Sequence, residues 1–191
     1  MTAEIWLNLH AILDRSRSNG PGERMVVWFQ GCDLGCPGCC NPQTHAFQPQ
    51  LTVSAEAIAE QAIAAGAEIE GITLSGGEPL AQTPGLLRLL QLIRSRSSLS
   101  ILLFSGYRWE EIQSLPLGID ILRMTDVLVA GRYVYHQARR TGLVGSANQR
   151  IHLLSNRYTL KQVTATPEIE ICIGPGGDVL STGIGVPELR L

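Results

Sequence analysis

The sequence predicts an α/β protein, a partial (β/α) barrel carrying a small C-terminal β-hairpin extension. Three observations predict it. Between residues 25 and 130 apolar strands alternate with amphipathic helices, an order that favours a parallel sheet with helical crossovers. Two glycine-rich segments follow directly on strands, where α/β sheets and barrels collect their sites. Beyond residue 150 the pattern changes to strand-like alternation around Gly174-Pro175-Gly176-Gly177-Asp178.

The elements follow in order. Ile5, Leu7 and Leu9 alternate with Trp6, Asn8 and His10, which reads as a short strand. Residues 14–23 are polar with Asn-Gly-Pro-Gly and read as a loop. Residues 25–30 form a β-branched and aromatic run, a buried strand that leads into a cysteine-rich loop. Residues 54–65 read as a helix capped by Ser54, with Ala57, Ile58 and Ala62 on one face. A strand over 71–75 ends in Gly76-Gly77-Glu78-Pro79. Residues 84–96 are a leucine-rich amphipathic helix with Pro84 in its first turn. A strand over 99–105, a short helix over 109–115 and a strand over 127–130 complete the alternation. Residues 132–150, rich in Arg and small residues, read as irregular, and 168–173 with 179–182 as a hairpin.

At 191 residues the chain is one domain in size. The expected division is a core over 1–150, with its cysteine loop at 31–41, and an extension over 151–191 packed on the same domain. A net charge of −2 gives no footprint for nucleic acid. No basic stretch with an apolar run opens the chain, and no run is long enough to cross a bilayer. Five cysteines, three of them crowded together, suit metal binding in a reduced cytoplasm better than a disulfide framework.

Those three, Cys32, Cys36 and Cys39, have C-x3-C-x2-C spacing. Three thiolates on one loop can hold three irons of a [4Fe-4S] cluster, which normally has four cysteine ligands. The missing ligand leaves one iron open, and an open position on a metal centre usually means chemistry. Gly31, Gly35 and Gly38 reduce bulk around such a centre, and Pro37 stiffens the segment. A structural zinc with Cys40 or His45 as fourth ligand is the alternative. Cys40 adjoins Cys39 too closely to share its cluster and reads as a small filler; Cys172 reads as a core residue and His45 as a loop residue. In the second motif, Gly76 and Gly77 let a ligand approach the backbone and Glu78 offers a carboxylate to an ammonium.

Together the two motifs resemble the radical S-adenosylmethionine (SAM) superfamily. The resemblance implies Cys32, Cys36 and Cys39 as cluster ligands and Gly76, Gly77 and Glu78 as SAM-binding. Further segments are similar to the activating proteins of anaerobic ribonucleotide reductase: Asn19-Gly20-Pro21-Gly22-Glu23-Arg24, Asn41-Pro42, Ser105-Gly106-Tyr107, Asp126-Val127-Leu128-Val129 and Gly145-Ser146-Ala147-Asn148-Gln149-Arg150. Two features depart from that pattern: Cys40 replaces a usual aromatic, and about forty residues follow Arg150.

The resemblance implies that the reduced cluster cleaves SAM to a 5′-deoxyadenosyl radical, which takes a hydrogen atom from a glycine Cα of a large glycyl-radical enzyme. The electron donor would be a flavodoxin or ferredoxin. Beyond cluster and SAM no catalytic side chain is expected, because the cofactor does the chemistry. Tyr107, Asp126 and Asn148 are further candidates for the SAM pocket. Gln149 and Arg150 would face SAM or the partner, and Arg132, Arg139 and Arg140 would form a docking surface. A radical SAM enzyme acting on a peptide or small metabolite is the competing function, motivated by the tail and Cys40. A non-catalytic metal-binding module is the third, disfavoured by the Gly-Gly-Glu segment.

Overall fold

The structure, a computed structural model, describes residues 4–174, 176–177 and 179–184. The expected turn residues Pro175 and Asp178 and the side chain of Arg140 lie outside the described residues.

A seven-stranded mixed sheet organises the chain. Strand β1 (Trp6–Ser16) pairs antiparallel with β2 (Arg24–Phe29) and with β3 (Leu51–Ser54). Helix α1 (Ala55–Ala65) leads to β4 (Gly71–Gly76), and α2 (Thr83–Arg96) leads to β5 (Ser100–Ser105). Two short helices, α3 (Trp109–Ser114) and α4 (Gly118–Arg123), lead to β6 (Val127–Ala130). Strands β2, β4, β5 and β6 are mutually parallel, as the helical crossovers require. A small hairpin of β7 (Ala138–Thr141) and β8 (Val144–Ser146) precedes β9 (Arg150–Leu153), which closes the order β3-β1-β2-β4-β5-β6-β9. The tail adds α5 (Leu160–Thr164) and a hairpin of β10 (Ile169–Ile173) and β11 (Val179–Gly183).

Each strand's alternation explains the layers. Leu7 and Leu9, then Met25, Val27 and Phe29, Ile72 and Leu74, Ile101 and Leu103, and Leu128 face the helices in the main core. There they meet Ile58 and Ala62 of α1 and Leu86, Leu89, Leu90 and Ile93 of α2, spaced at the helical period. Ser54 caps α1, accepting from the Ala57 N–H at 3.2 Å. The opposite face carries a second cluster, in which Leu102, Val127 and Val129 pack on Leu143, Tyr158 and Val163. The tail therefore fills the sheet's open side.

Several expectations are corrected. β1 runs to Ser16, so the first loop starts later than its polar residues suggested. β3 and α4 escape the sequence pattern, being only 4 and 6 residues long. Residues 132–150 are not irregular, because β7 and β8 pair there. The boundary expected at residue 150 falls inside the β9–β6 ladder. Cys172 is half-buried on the tail hairpin, outside both hydrophobic clusters, on the face of β10 opposite the exposed Ile169, Ile171 and Ile173.

Candidate active site

All four parallel strands deliver a loop to the same end of the sheet. β2 runs into the cysteine loop, β4 into Gly77-Glu78, β5 into Gly106-Tyr107 and β6 into Gly131. Between these loops and the tail lies a cleft of about 370 Å³, within the range of ligand sites.

Backbone contacts clamp the two motifs together. The N–H of Gly77 donates to Phe29 O and that of Glu78 to Gly31 O, both at 2.8 Å. This explains both glycines. A Cβ on Gly77 would stand 2.4 Å from Gly31 O, and one on Gly76 would stand 2.4 Å from Phe29 N. Gly76 also has φ +103°, a conformation open to glycine. The close neighbour that excludes a side chain here is thus the backbone leading into the cysteine loop, not only a ligand.

Cys32, Cys36 and Cys39 are half-buried thiols that all line the cleft; the adjacent Cys40 also borders it but is exposed. Burial pushes the thiols of Cys32 and Cys39 up. Among the described residues no three His, Cys, Asp or Glu side chains converge on a single-ion site. A structural zinc needs its ligands within about 2.3 Å of one point, whereas each thiolate of a cluster takes its own iron. Three thiols opening on one cleft, with wall left over for a further ligand, fit the cluster's donor set.

Glu78 is wholly buried. Its Oε1 accepts from Leu80 N at 2.9 Å and Ser105 Oγ at 3.0 Å, and its Oε2 from Gly106 N at 2.8 Å. The carboxylate expected to meet an ammonium already has three donors, and it ties the β4 loop to the β5 loop. Burial outweighs these donors and raises its pKa to about 7. A carboxyl raised on folding binds its proton more tightly when folded, so its stabilising contribution is present below pH 4.5 and is lost as pH rises through 7. Denaturant titrations at pH 5 and pH 8 should therefore show a loss of stability with pH, and Glu78→Gln should flatten it. Equal slopes in the two proteins would remove Glu78 as the cause.

The other candidates divide. Tyr107 is not among the residues lining the cleft; it packs against the main core, with its hydroxyl 3.4 Å from Asp33 Oδ1 of the cysteine loop. Arg132 lies over its ring at 5.7 Å and pairs with Glu111 at 2.6 Å, so it braces that ring instead of forming a free docking charge. Asp126 is corrected outright. It precedes β6 at the amino end of the sheet, away from the cleft, where it accepts from Ile101 N at 2.8 Å and pairs with Arg94 at 2.7 Å. Asn148 faces a smaller hollow beside Trp109 and His152, donating to Arg132 O at 2.8 Å, and Arg150 lines that hollow too. Its neighbour Gln149 lines the main cleft. Arg139 is exposed on β7. His45 stays in the loop, its O accepting from Cys32 N.

The sequence reading missed the inward wall of Trp28 and Phe104. Its signal was present, because these residues alternate with the core residues 27 and 103. Leu180–Ile184 of the tail also line the cleft, residues that the sequence by itself did not single out.

A cysteine triplet after the first parallel strand, clamped to a Gly-Gly-Glu turn after the second, defines a radical SAM domain. Residues 18–152 match the family described as "4Fe-4S single cluster domain". The chain is 31% identical over 156 residues to the anaerobic ribonucleoside-triphosphate reductase-activating protein of Escherichia coli K12, covering 78% of this chain and 99% of that one. The Vibrio cholerae protein of the same description is 32% identical, covering 81% and 100%. A pyruvate formate-lyase-activating enzyme from Clostridium pasteurianum is 30% identical, covering 63% and 50%. The chain belongs to the radical SAM family of glycyl-radical-activating enzymes, which use a [4Fe-4S] cluster and SAM. Among the described residues no helix is long and apolar enough to cross a membrane.

Proposed function

We propose that this protein installs a glycyl radical on a large partner enzyme of the anaerobic ribonucleotide reductase class. The observation that carries this reading is the near-complete span of the reductase-activating relatives, joined to a cleft that both motifs line. Cys32, Cys36 and Cys39 would hold the cluster, and the backbone at Gly76 and Gly77 would meet the methionyl end of SAM. When bound, cluster and SAM together supply a 5′-deoxyadenosyl radical after one-electron reduction.

The chain's own residues position and shield. Glu78 holds the β4 and β5 loops at a fixed separation. Trp28, Leu34, Phe104 and Leu143 give the cleft apolar walls, which exclude water from a reactive intermediate. Asp33, Gly35, Pro37 and Gly38 are exposed on the cysteine loop, so a flavodoxin- or ferredoxin-type donor can approach from outside. A partner glycine suits the cleft because it brings no side chain to the reacting Cα.

The test is electron paramagnetic resonance of reduced, cluster-loaded protein mixed with SAM and the anaerobic reductase of the same organism. A glycine-centred doublet is expected. SAM cleavage without that signal would instead favour a peptide or small-metabolite substrate, a reading supported by the tail residues on the cleft wall.

A further inference from the structure

Two consecutive residues of β1, His10 and Ala11, both line the cleft. In a regular strand successive side chains point to opposite faces. The register explains the exception. Leu9 pairs with Phe29 and Ala11 with Trp28, so His10 is an extra residue without a counterpart on β2. Such a β-bulge re-aims a side chain, and bulges are over-represented next to active sites. Neither motif accounts for this one, because His10 lies outside the matched residues 18–152.

The neighbour of His10 sets its tautomer. Gln30 is buried, and its Nε2 donates to Ala46 O, on the return arm of the cysteine loop, at 2.6 Å. That bond fixes the amide and leaves Gln30 Oε1 3.0 Å from His10 Nδ1. An amide oxygen accepts, so Nδ1 carries the hydrogen. In the neutral ring Nε2 is then an acceptor, and among the described residues it has no partner. The side chain is half-buried, so a molecule in the cleft can reach it.

An activase must hold two reactants in one cleft. The methionyl end of SAM falls to Gly76 and Gly77, after β4. His10 stands on β1, with β2 between. Leu9, Phe29 and Gly76 form one row across these strands, which puts His10 two strand spacings, about 10 Å, from Gly76. The β1 side of the cleft is thus the side left to the acceptor. We propose that His10 seats the acceptor, its Nε2 accepting a hydrogen bond from a backbone N–H of the partner's glycine segment. The reacting glycine offers no side chain to grip, so its backbone is the group to hold. The inference rests on the activase reading and names the residue that positions the substrate.

The experiment uses cluster-loaded protein, SAM and the anaerobic reductase of the same organism. Two variants separate the two edges of the ring. His10→Asn keeps an N–H near the place of Nδ1 and loses Nε2. His10→Gln gives up the bond to Gln30 but carries an amide oxygen to the place of Nε2. In His10→Asn the Kd and KM for the reductase should rise about tenfold, as for one lost hydrogen bond. Its iron content, SAM affinity and partner-free SAM cleavage should stay within about twofold. His10→Gln should recover most of the reductase affinity; a histidine that only braces the cysteine loop would give the opposite order. An unchanged reductase Kd in His10→Asn, or a loss of iron or SAM affinity instead, overturns the proposal and leaves the activase reading intact. A wild type that cleaves SAM but makes no glycyl radical on the reductase overturns both.

Discussion

Replacing Cys36 with alanine should abolish SAM cleavage, by roughly a thousandfold or more, because the cofactor and not a side chain carries the chemistry. The loop spaces its three thiols so that each can take one iron, and with two left the cluster has no stable seat. Iron and sulfide content after anaerobic reconstitution should fall with activity, and Cys32→Ala and Cys39→Ala should behave alike. Cys40→Ala and Cys172→Ala are the controls. Cys40 is exposed beside the triplet, and Cys172 sits on the tail hairpin, so both variants should keep the cluster. A Cys36→Ala protein with full iron and activity, or a Cys40→Ala protein with none, would falsify the ligand assignment.

The second large effect lies at the other end of β2. Arg24→Met should destabilise the protein by about 3–5 kcal/mol, lowering Tm by about 10 °C. The Arg24 side chain is wholly buried. Its guanidinium donates to Thr73 Oγ1 at 2.8 Å, Ser100 Oγ at 2.8 Å, Pro21 O at 3.1 Å and Ile72 O at 2.8 Å. Tyr158, from the tail, lies 3.3 Å from Nη1 and also donates to Glu70. Burial pulls the Arg24 pKa down, and Tyr158 and Glu70 oppose that pull. Methionine fills similar volume but leaves three backbone carbonyls, of Pro21, Ile72 and Ser100, without this donor, and such orphans account for most of the loss. Because Arg24 starts β2 and the cysteine loop follows its end, cluster loading at low temperature should survive. Thermal melts read the effect, and a fall of less than about 2 °C would show that water or relaxation replaces the network.

The parts of the site that were legible in the sequence share one property: their chemistry is set by covalent spacing. Cys32, Cys36 and Cys39 are close in the chain, so one loop brings them to one cleft. The same holds for Ser75 to Pro79 at the end of β4. The main strands and helices were legible because burial on one face writes a period into the sequence. Short elements such as β3 and α4 carry too few residues to show a period.

Asp126 shows where such reasoning stops. A strand-edge carboxylate in a suggestive segment looks alike at either end of a strand, and only the parallel pairing of β5 and β6 puts it beside Ile101, away from the cleft. Asn148 and Gln149 are neighbours, and the path of the loop decides which one reaches the main cleft.

By itself the sequence determined an α/β partial barrel with a cysteine triplet and a Gly-Gly-Glu turn at strand ends, because local spacing and hydrophobic period are properties of neighbouring residues. The tertiary structure decided that the turn's glycines accommodate the cysteine loop's backbone and that Glu78 is spent on holding two loops. It also decided that the tail enters the barrel's open side to wall the cleft. Each of these depends on burial between segments far apart in the chain, where the sheet's register and the packing of its open face choose the neighbours.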